Sequence, residues 1–224
     1  MRKMRLLILM MCLPARFDCH ASVNAGELET VKQWIAHRGS ISSVSASFVQ
    51  ERHLKALKRP IINSGKLWFK SPRLFRWQIG EPAESVAISK NGEILLLRPR
   101  KKTGERYSDN HSHNSRQSPG MLFFEIGFPR DYKEFIKRFT VTGLSHLGDS
   151  YFVSLKFNDR RSNMAIRKVV FEIDSKTYLT QSMEMRFRDA SSIKTSFSSV
   201  LENAHVKDSV FEFDLNGYRL KGTD

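Results

Sequence analysis

The chain has 224 residues and a formal net charge of +14, with 37 lysines and arginines against 23 aspartates and glutamates. This length is enough for one domain with a substantial core. Both cysteines, Cys12 and Cys19, lie close to the N-terminus, which excludes a disulfide-stabilised fold and a cysteine nucleophile in the rest of the chain.

The N-terminus has the layout of a signal peptide. Basic residues in Met1–Arg5 precede an apolar run, Leu6–Leu13, and small residues follow up to Ala25. The apolar run is less than half the roughly 20 residues that a membrane-spanning helix needs. We therefore expect residues 1–25 to be a signal peptide cut after Ala25, with a weaker site after Ala21, and residues 26–224 to form a single periplasmic domain.

The basic charge points to a class of partner. Outside the cytoplasm the abundant polyanions are phospholipid head groups and other envelope components, and nucleic acid is not expected. The sequence therefore predicts an anionic lipid partner, and an anionic membrane surface is a further candidate.

The exported part opens with an amphipathic helix and continues with strands. Gly26–Arg38 has apolar residues at helical spacing, and from Ser43 the period falls to two. Asn91-Gly92 between two apolar runs predicts a tight hairpin, because both central residues of such a turn take positive φ. The segments predicted as later strands, from their alternating apolar residues, are Tyr151–Phe157, Val169–Ile173, Met183–Phe187 and Val210–Phe213.

A break separates the two strand-rich halves. We expect Arg100–Pro119 to be a polar loop, followed by the apolar cluster Met121–Phe124. A helix is then predicted from Asp131, with Glu134 as in a capping box and an apolar face extending to Phe139. The fold class is therefore mainly β (α+β), an antiparallel sheet of about ten strands with helices on one side.

Two short motifs carry a family resemblance. Ser47-Phe48-Val49-Gln50 and the run from Gly65 to Trp77, with the closing Val210–Phe213, resemble LolA, the periplasmic outer-membrane lipoprotein carrier family. The segment Glu51–Pro60 is similar to the branch found with aryl-polyene and related lipid biosynthesis.

The resemblance implies an incomplete, curved antiparallel barrel of ten or eleven strands, covered by short helices that form a lid over an apolar cavity. It implies a monomeric carrier without cofactor, metal or catalytic residue, which takes lipidated cargo from an inner-membrane exporter to an outer-membrane acceptor. The family's arginine before the motif proline, which holds the lid, is replaced by Ser71, so the lid latch is not carried over.

The candidate lipid-binding residues are apolar, because acyl chains need wide apolar walls and few buried polar groups. They are Phe48, Leu67, Phe69, Phe75, Trp77, Leu122, Phe123, Phe135, Met183 and Met185. Ordinary core packing is the alternative for the strand residues, and the sequence leaves both interpretations open for Met183 and Met185. The apolar Met121–Phe124 cluster is interpreted as part of the lid.

Other chemistries have weaker support. His111 and His113 lack the further ligands of a metal site, and the Gly-x-Ser-x-Gly elbow of a serine hydrolase is missing from the sequence. The basic run Arg98–Lys102 is either a solvated loop or a patch that attracts phosphate-bearing head groups. A lipid-sensing regulatory protein and an envelope lipid hydrolase remain the alternatives to a carrier.

Overall fold

The computed structural model describes residues 23–108 and 131–222. The helices in these ranges are α1 (Ala25–Ser40), α2 (Tyr132–Arg138) and α3 (Arg160–Ala165). The strands are β1 (Ser43–His53), β2 (Ile61–Lys70), β3 (Leu74–Ile79), β4 (Ser85–Lys90), β5 (Glu93–Arg98), β6 (Thr103–Ser108), β7 (Phe139–Leu147), β8 (Ser150–Phe157), β9 (Ile166–Asp174), β10 (Thr180–Phe187), β11 (Ser192–Glu202) and β12 (Arg219–Gly222).

All of these strands belong to one open sheet. Its order is β12-β6-β5-β4-β3-β2-β1-β11-β10-β9-β8-β7, so the pairing of β1 with β11 joins the two halves of the chain. Every pair is antiparallel except β12 with β6, which is parallel. The edge strands β7 and β12 are not paired with each other. The predicted mainly β, incomplete antiparallel barrel is therefore confirmed, with twelve strands in the described residues.

The local signals at helix starts and turns match the structure. The Asn24 side chain accepts a hydrogen bond from the Glu27 amide at 2.9 Å and completes a capping box at the start of α1. The Asp131 side chain caps α2 by accepting a hydrogen bond from the Glu134 backbone amide at 2.7 Å. Asn91 and Gly92 take φ values of 54° and 78°, as the predicted hairpin requires. A cut after Ala25 would remove the Asn24 cap, whereas a cut after Ala21 would keep it.

Three sequence predictions about elements were wrong in part. Residues 103–108 are strand β6 instead of loop, because β5 and β12 satisfy the backbone groups on both of its sides. Phe139 begins β7 instead of ending the helix. Val210–Phe213 is not a strand: Asp208–Phe211 forms a 3-10 turn that buries Phe211 against the sheet. The remainder of the predicted loop, residues 109–119, lies outside the described residues.

The two faces of the sheet are covered by different parts of the chain. The inner face holds the main core, which α1 and α2 cover with Val31, Trp34, Ile35 and Phe135. The outer face of β4 and β5 holds a small second cluster. That cluster is covered by residues 208–222, called here the C-terminal segment.

Candidate functional site

The described candidate residues come together on the inner face. They are all at most 5 % exposed and belong to one cluster: Phe48, Leu67, Phe69, Phe75, Trp77, Phe135, Met183 and Met185. Strand alternation explains this arrangement, because residues two apart on β1, β2, β3 and β10 project to the same side. The sheet thus presents a broad apolar surface toward α1 and α2.

Aromatic rings make up much of this surface near β1 and β3. Phe48 stacks on Trp77 with ring centroids 4.0 Å apart. The Phe75 ring centroid lies 6.5 Å from that of Trp77. Phe197 of β11 meets the Trp77 ring edge-on at 6.4 Å. Flat rings of this kind form an apolar wall with few polar atoms, which suits a hydrocarbon ligand as well as a core.

The helix α1 lies over the other half of the inner face. Its Trp34 ring packs 5.1 Å from Phe171 of β9 and 6.2 Å from Phe135 of α2, so the two helices share one apolar contact with the sheet. Beside Trp34, Gln33 Oε1 accepts a hydrogen bond from the Tyr178 hydroxyl at 2.5 Å. The middle of α1 is therefore held chiefly by apolar packing with one polar contact at its side.

The C-terminal end of α1 is anchored by polar contacts. His37 Nε2 lies 3.0 Å from Glu202 Oε2 at the end of β11. Just beyond the helix, the Ser42 backbone amide donates to Asn203 Oδ1 at 2.8 Å. The Asn203 backbone amide donates to the Ser43 carbonyl at 2.8 Å. Motion of α1 away from the sheet would therefore pivot about this end.

A buried cation lies beneath the same end of α1. Arg38 is 5 % exposed, and burial lowers its pKa to about 10, although the charge of Glu202 opposes this shift. At neutral pH the guanidinium is therefore protonated inside the fold. With Thr180 of β10 it brings polar character to an otherwise apolar region.

Arg38 lines a small cavity on the inner face. The cavity has a volume of about 10 Å³, and its walls are Arg38, Val44, Ala46, Leu67, Thr180, Phe197 and Val200. A volume near 10 Å³ is about what one water molecule requires, whereas ligand pockets measure roughly 300–1,000 Å³. An acyl chain can therefore enter this region only if α1 or its neighbours move.

Arg38 was missed as a candidate residue, although a signal for it exists. It follows Val31, Trp34 and Ile35 at the i+7 position of the same helix face. A charged residue on the apolar stripe of an amphipathic helix is expected to be buried with it. Its proximity to Glu202, 164 residues later, could not be inferred from this spacing.

Ser71 stands where the resemblance places an arginine. The Ser71 amide donates to the Ser42 carbonyl at 2.8 Å, next to the anchored end of α1. Arg76, as its alternation with Phe75 and Trp77 predicts, projects to the outer face and donates to the Val210 and Glu212 carbonyls. In this chain, α1 is tied to β11 through the contact between His37 and Glu202.

The outer face has a larger opening. A groove of about 420 Å³ runs between the C-terminal segment and β4–β6. Its floor is apolar, with Ile88 and Leu95, while Lys90, Glu93 and Arg106 add charges of both signs. Such a mixed lining does not match the uniformly apolar walls that an acyl chain favours.

Several predicted features lie outside the described residues. They are the signal peptide through residue 22 with Cys12 and Cys19, the lid residues Leu122 and Phe123 within Met121–Phe124, and His111 and His113. In residues 23–108 and 131–222, histidines, aspartates and glutamates do not gather in threes as a metal centre would require. No helix within those same ranges is sufficiently long and apolar to cross a bilayer.

Comparison with known families gives one match. A family model described as outer membrane lipoprotein carrier protein LolA matches residues 39–214. A search of curated proteins found no match.

The search of solved structures finds similar chains at low sequence identity. An uncharacterised conserved protein from Thermus thermophilus has a TM-score of 0.51 and 8% identity, with 85% of this chain and 98% of that chain covered. A DUF1329 family protein from Desulfovibrio piger has a TM-score of 0.49 and 11% identity, with 85% of this chain and 97% of that chain covered. An outer membrane lipoprotein-sorting protein domain from Vibrio parahaemolyticus has a TM-score of 0.49 and 14% identity, with 84% of this chain and 97% of that chain covered.

Proposed function

The chain belongs to the LolA family of outer membrane lipoprotein carrier proteins, and from this membership we propose that it carries acyl chains through the periplasm. The cargo is a lipoprotein or another lipidated molecule, such as an aryl-polyene lipid. It is taken from an inner-membrane exporter and delivered to an outer-membrane acceptor. Carriage of this kind requires no chemical step.

The inner face supplies the binding energy. Each methylene removed from water contributes roughly 0.8 kcal/mol, so partial burial of one acyl chain amounts to several kcal/mol. Phe48, Leu67 and Trp77, with the other buried residues of the inner face, offer the apolar walls for it. Met183 and Met185 add side chains that adapt to varied shapes.

The observation that carries the proposal is the way α1 covers this face. Its middle contacts the sheet through Val31, Trp34 and Ile35, which are fully buried and apolar, with one polar contact from Gln33 to Tyr178, while its other polar anchors are at one end. Apolar contacts can be exchanged for an acyl chain without leaving hydrogen-bonding groups unpaired. The helix can thus open as a lid hinged near Ile41 and admit the cargo.

Arg38 gives this site a charge preference. A protonated guanidinium on the wall of the 10 Å³ cavity would attract a carboxylate or phosphate at the end of an acyl chain. Anionic cargo is therefore favoured over neutral cargo.

The direct test is native mass spectrometry of the protein purified from its own cell envelope, followed by lipid extraction. We expect an acylated molecule bound at about one per protein, since the inner face has one apolar cluster. A protein that carries no lipid and also fails to take up a fluorescent fatty acid would contradict the proposal. The lipid-sensing interpretation would then lose its basis as well.

A matched pair of variants tests the position of the site. Leu67 on the inner face is 2 % exposed and Leu97 in the outer cluster is 1 % exposed, so Leu67→Gln and Leu97→Gln should lose comparable stability. Only Leu67→Gln should lose affinity for the fluorescent fatty acid, by roughly tenfold or more. Urea unfolding of both variants measures the stability loss, and equal losses of affinity would place the site elsewhere.

A further inference from the structure

The hairpin between β1 and β2 ends in a basic surface. The segment Arg52–Ile62, called here the hairpin tip, contains four lysines and arginines and one histidine but no acidic residue. Pairing of β1 with β2 ends at Arg52 and Ile61, and pairing of β1 with β11 ends at His53 and Ser192. The residues between 53 and 61 therefore extend past the end of the sheet.

Aliphatic side chains are exposed within the tip. Leu57 is 49 % exposed, Ile61 41 % and Ile62 62 %. Single exposed aliphatic residues are common on protein surfaces, but here three of them occur within six residues. Ile61 and Ile62 are successive residues of β2 and project to opposite faces, so the hairpin exposes an aliphatic side chain on each face.

The cations of the tip surround these aliphatic residues. Arg52, Lys55, Lys58 and Arg59 are all exposed, and none of them forms an ion pair with a carboxylate of residues 23–108 or 131–222. Two carboxylates lie near the tip. Glu51 is 3.6 Å from His53, and the pKa of Asp189 is lowered by hydrogen bonds from Ser191, with a smaller contribution from the charge of Lys55. Four lysines and arginines against two carboxylates leave the tip with a net positive charge.

A neighbouring element extends the surface. Helix α3 is tied to the turn after β10, where the Arg188 amide donates to the Ala165 carbonyl at 3.0 Å and Arg188 Nε donates to the Asn163 carbonyl at 2.5 Å. Met164 of α3 is 68 % exposed. The turn after β10 leads into β11, which pairs with β1 up to the tip, so Met164 is exposed at the same end of the sheet.

We propose that the hairpin tip docks the protein on an anionic lipid bilayer. Lysines and arginines near a membrane pair with acidic head groups, while aliphatic side chains enter the boundary between head groups and acyl chains. A second copy of this chain is a poor partner for the tip, because its own cations would face like charges. The proposal rests on the proposed function only in that a carrier of acyl chains must approach a membrane.

Cosedimentation with lipid vesicles tests the docking surface. The purified protein is mixed with phosphatidylcholine vesicles that contain either no phosphatidylglycerol or roughly a quarter of it, at low and high salt. We expect binding to the anionic vesicles alone, and weaker binding at high salt. Failure of the wild-type protein to bind anionic vesicles would overturn the proposal.

Charge variants separate the tip from the general basic character of the chain. Lys55→Gln, Lys58→Gln and Arg59→Gln together should lower vesicle binding roughly a hundredfold, at about fivefold for each charge. The control combines Lys176→Gln, Lys207→Gln and Lys221→Gln, which are exposed elsewhere and remove the same net charge. Equal losses in the two triple variants, or wild-type binding by the tip variant, would overturn the proposal.

Apolar variants test insertion. Leu57→Ser with Ile62→Ser should reduce binding to anionic vesicles by roughly tenfold or more. Leu147→Ser with Leu201→Ser is the control, because these leucines are 74 % and 58 % exposed at other sites. Uptake of a fluorescent fatty acid without vesicles should be unchanged in all four sets of variants, so docking and cargo binding can fail separately.

Discussion

At the scale of single residues, the inner face depends on a close approach between Phe48 and Gly65. The two residues face each other across β1 and β2, and the Phe48 ring lies over the glycine. A Cβ atom at position 65 would overlap that ring and the Gln78 carbonyl oxygen. Gly65 therefore permits the stacking of Phe48 on Trp77 that forms part of the apolar wall.

Replacing this glycine should disturb the wall. Gly65→Ala is expected to lower the free energy of unfolding by about 2 kcal/mol, because the added methyl group overpacks a rigid ring cluster. Urea unfolding and the near-ultraviolet circular dichroism of the tryptophans would measure the effect. Gly143→Ala is the control, since within the described residues no atom lies within 4 Å of a Cβ there. Similar losses in both variants would argue against the close-approach explanation.

At the scale of elements, the C-terminal segment is held to the outer face by Arg76. Its Nη1 atom donates to the Val210 and Glu212 carbonyls at 3.0 and 3.2 Å, and Nη2 donates to Gln78 Oε1 at 2.7 Å. The Phe213 ring lies 5.7 Å from the guanidinium. These contacts replace the strand pairing that the alternating sequence had suggested for this segment.

Removing the guanidinium should loosen the segment. Arg76→Ala leaves two carbonyls without their donor and is expected to cost about 2 kcal/mol of unfolding free energy. Hydrogen exchange should accelerate in β12 and β6 before it does in β8 and β9. Arg138→Ala, which breaks an exposed ion pair with Glu134, should cost less than about 1 kcal/mol and leave β12 protected. Unchanged exchange in β12 of Arg76→Ala would contradict this role.

At the scale of the whole molecule, the contact between α1 and β11 links the lid to the sheet. Glu202 faces both His37 and the buried charge of Arg38, and its side chain is 20 % exposed. Because a buried cation needs a nearby carboxylate, Glu202 holds the hinged end of α1 against the sheet. The hinge proposed above depends on this residue.

Neutralising Glu202 should loosen the hinged end of α1. Glu202→Gln is expected to lower the free energy of unfolding by about 2 kcal/mol, to speed hydrogen exchange of α1, and to speed uptake of a fluorescent fatty acid. Glu29→Gln on the same helix, where the carboxylate pairs with Lys32 in solvent, should leave all three quantities nearly unchanged. Faster global exchange without a specific effect on α1 would count against the hinge.

Much of the architecture could be predicted from local sequence. The apolar spacing of α1, the capping residue Asp131, and the Asn91-Gly92 turn depend on contacts within a few residues. The periodicities of the strands and of α2 indicated eight of the ten candidate residues, and these eight lie in a single cluster. The other two, Leu122 and Phe123, lie outside the described residues.

What only the tertiary structure decided involves partners far apart in the chain. Residues 103–108 became a strand because β12 pairs beside them, Phe211 became part of a turn because Arg76 takes the neighbouring carbonyls, and Arg38 is buried beside Glu202. Sequence periodicity reports which side of an element is apolar, since that depends on backbone geometry alone. It cannot report which distant backbone or charged group meets that side, because chain folding brings those groups together.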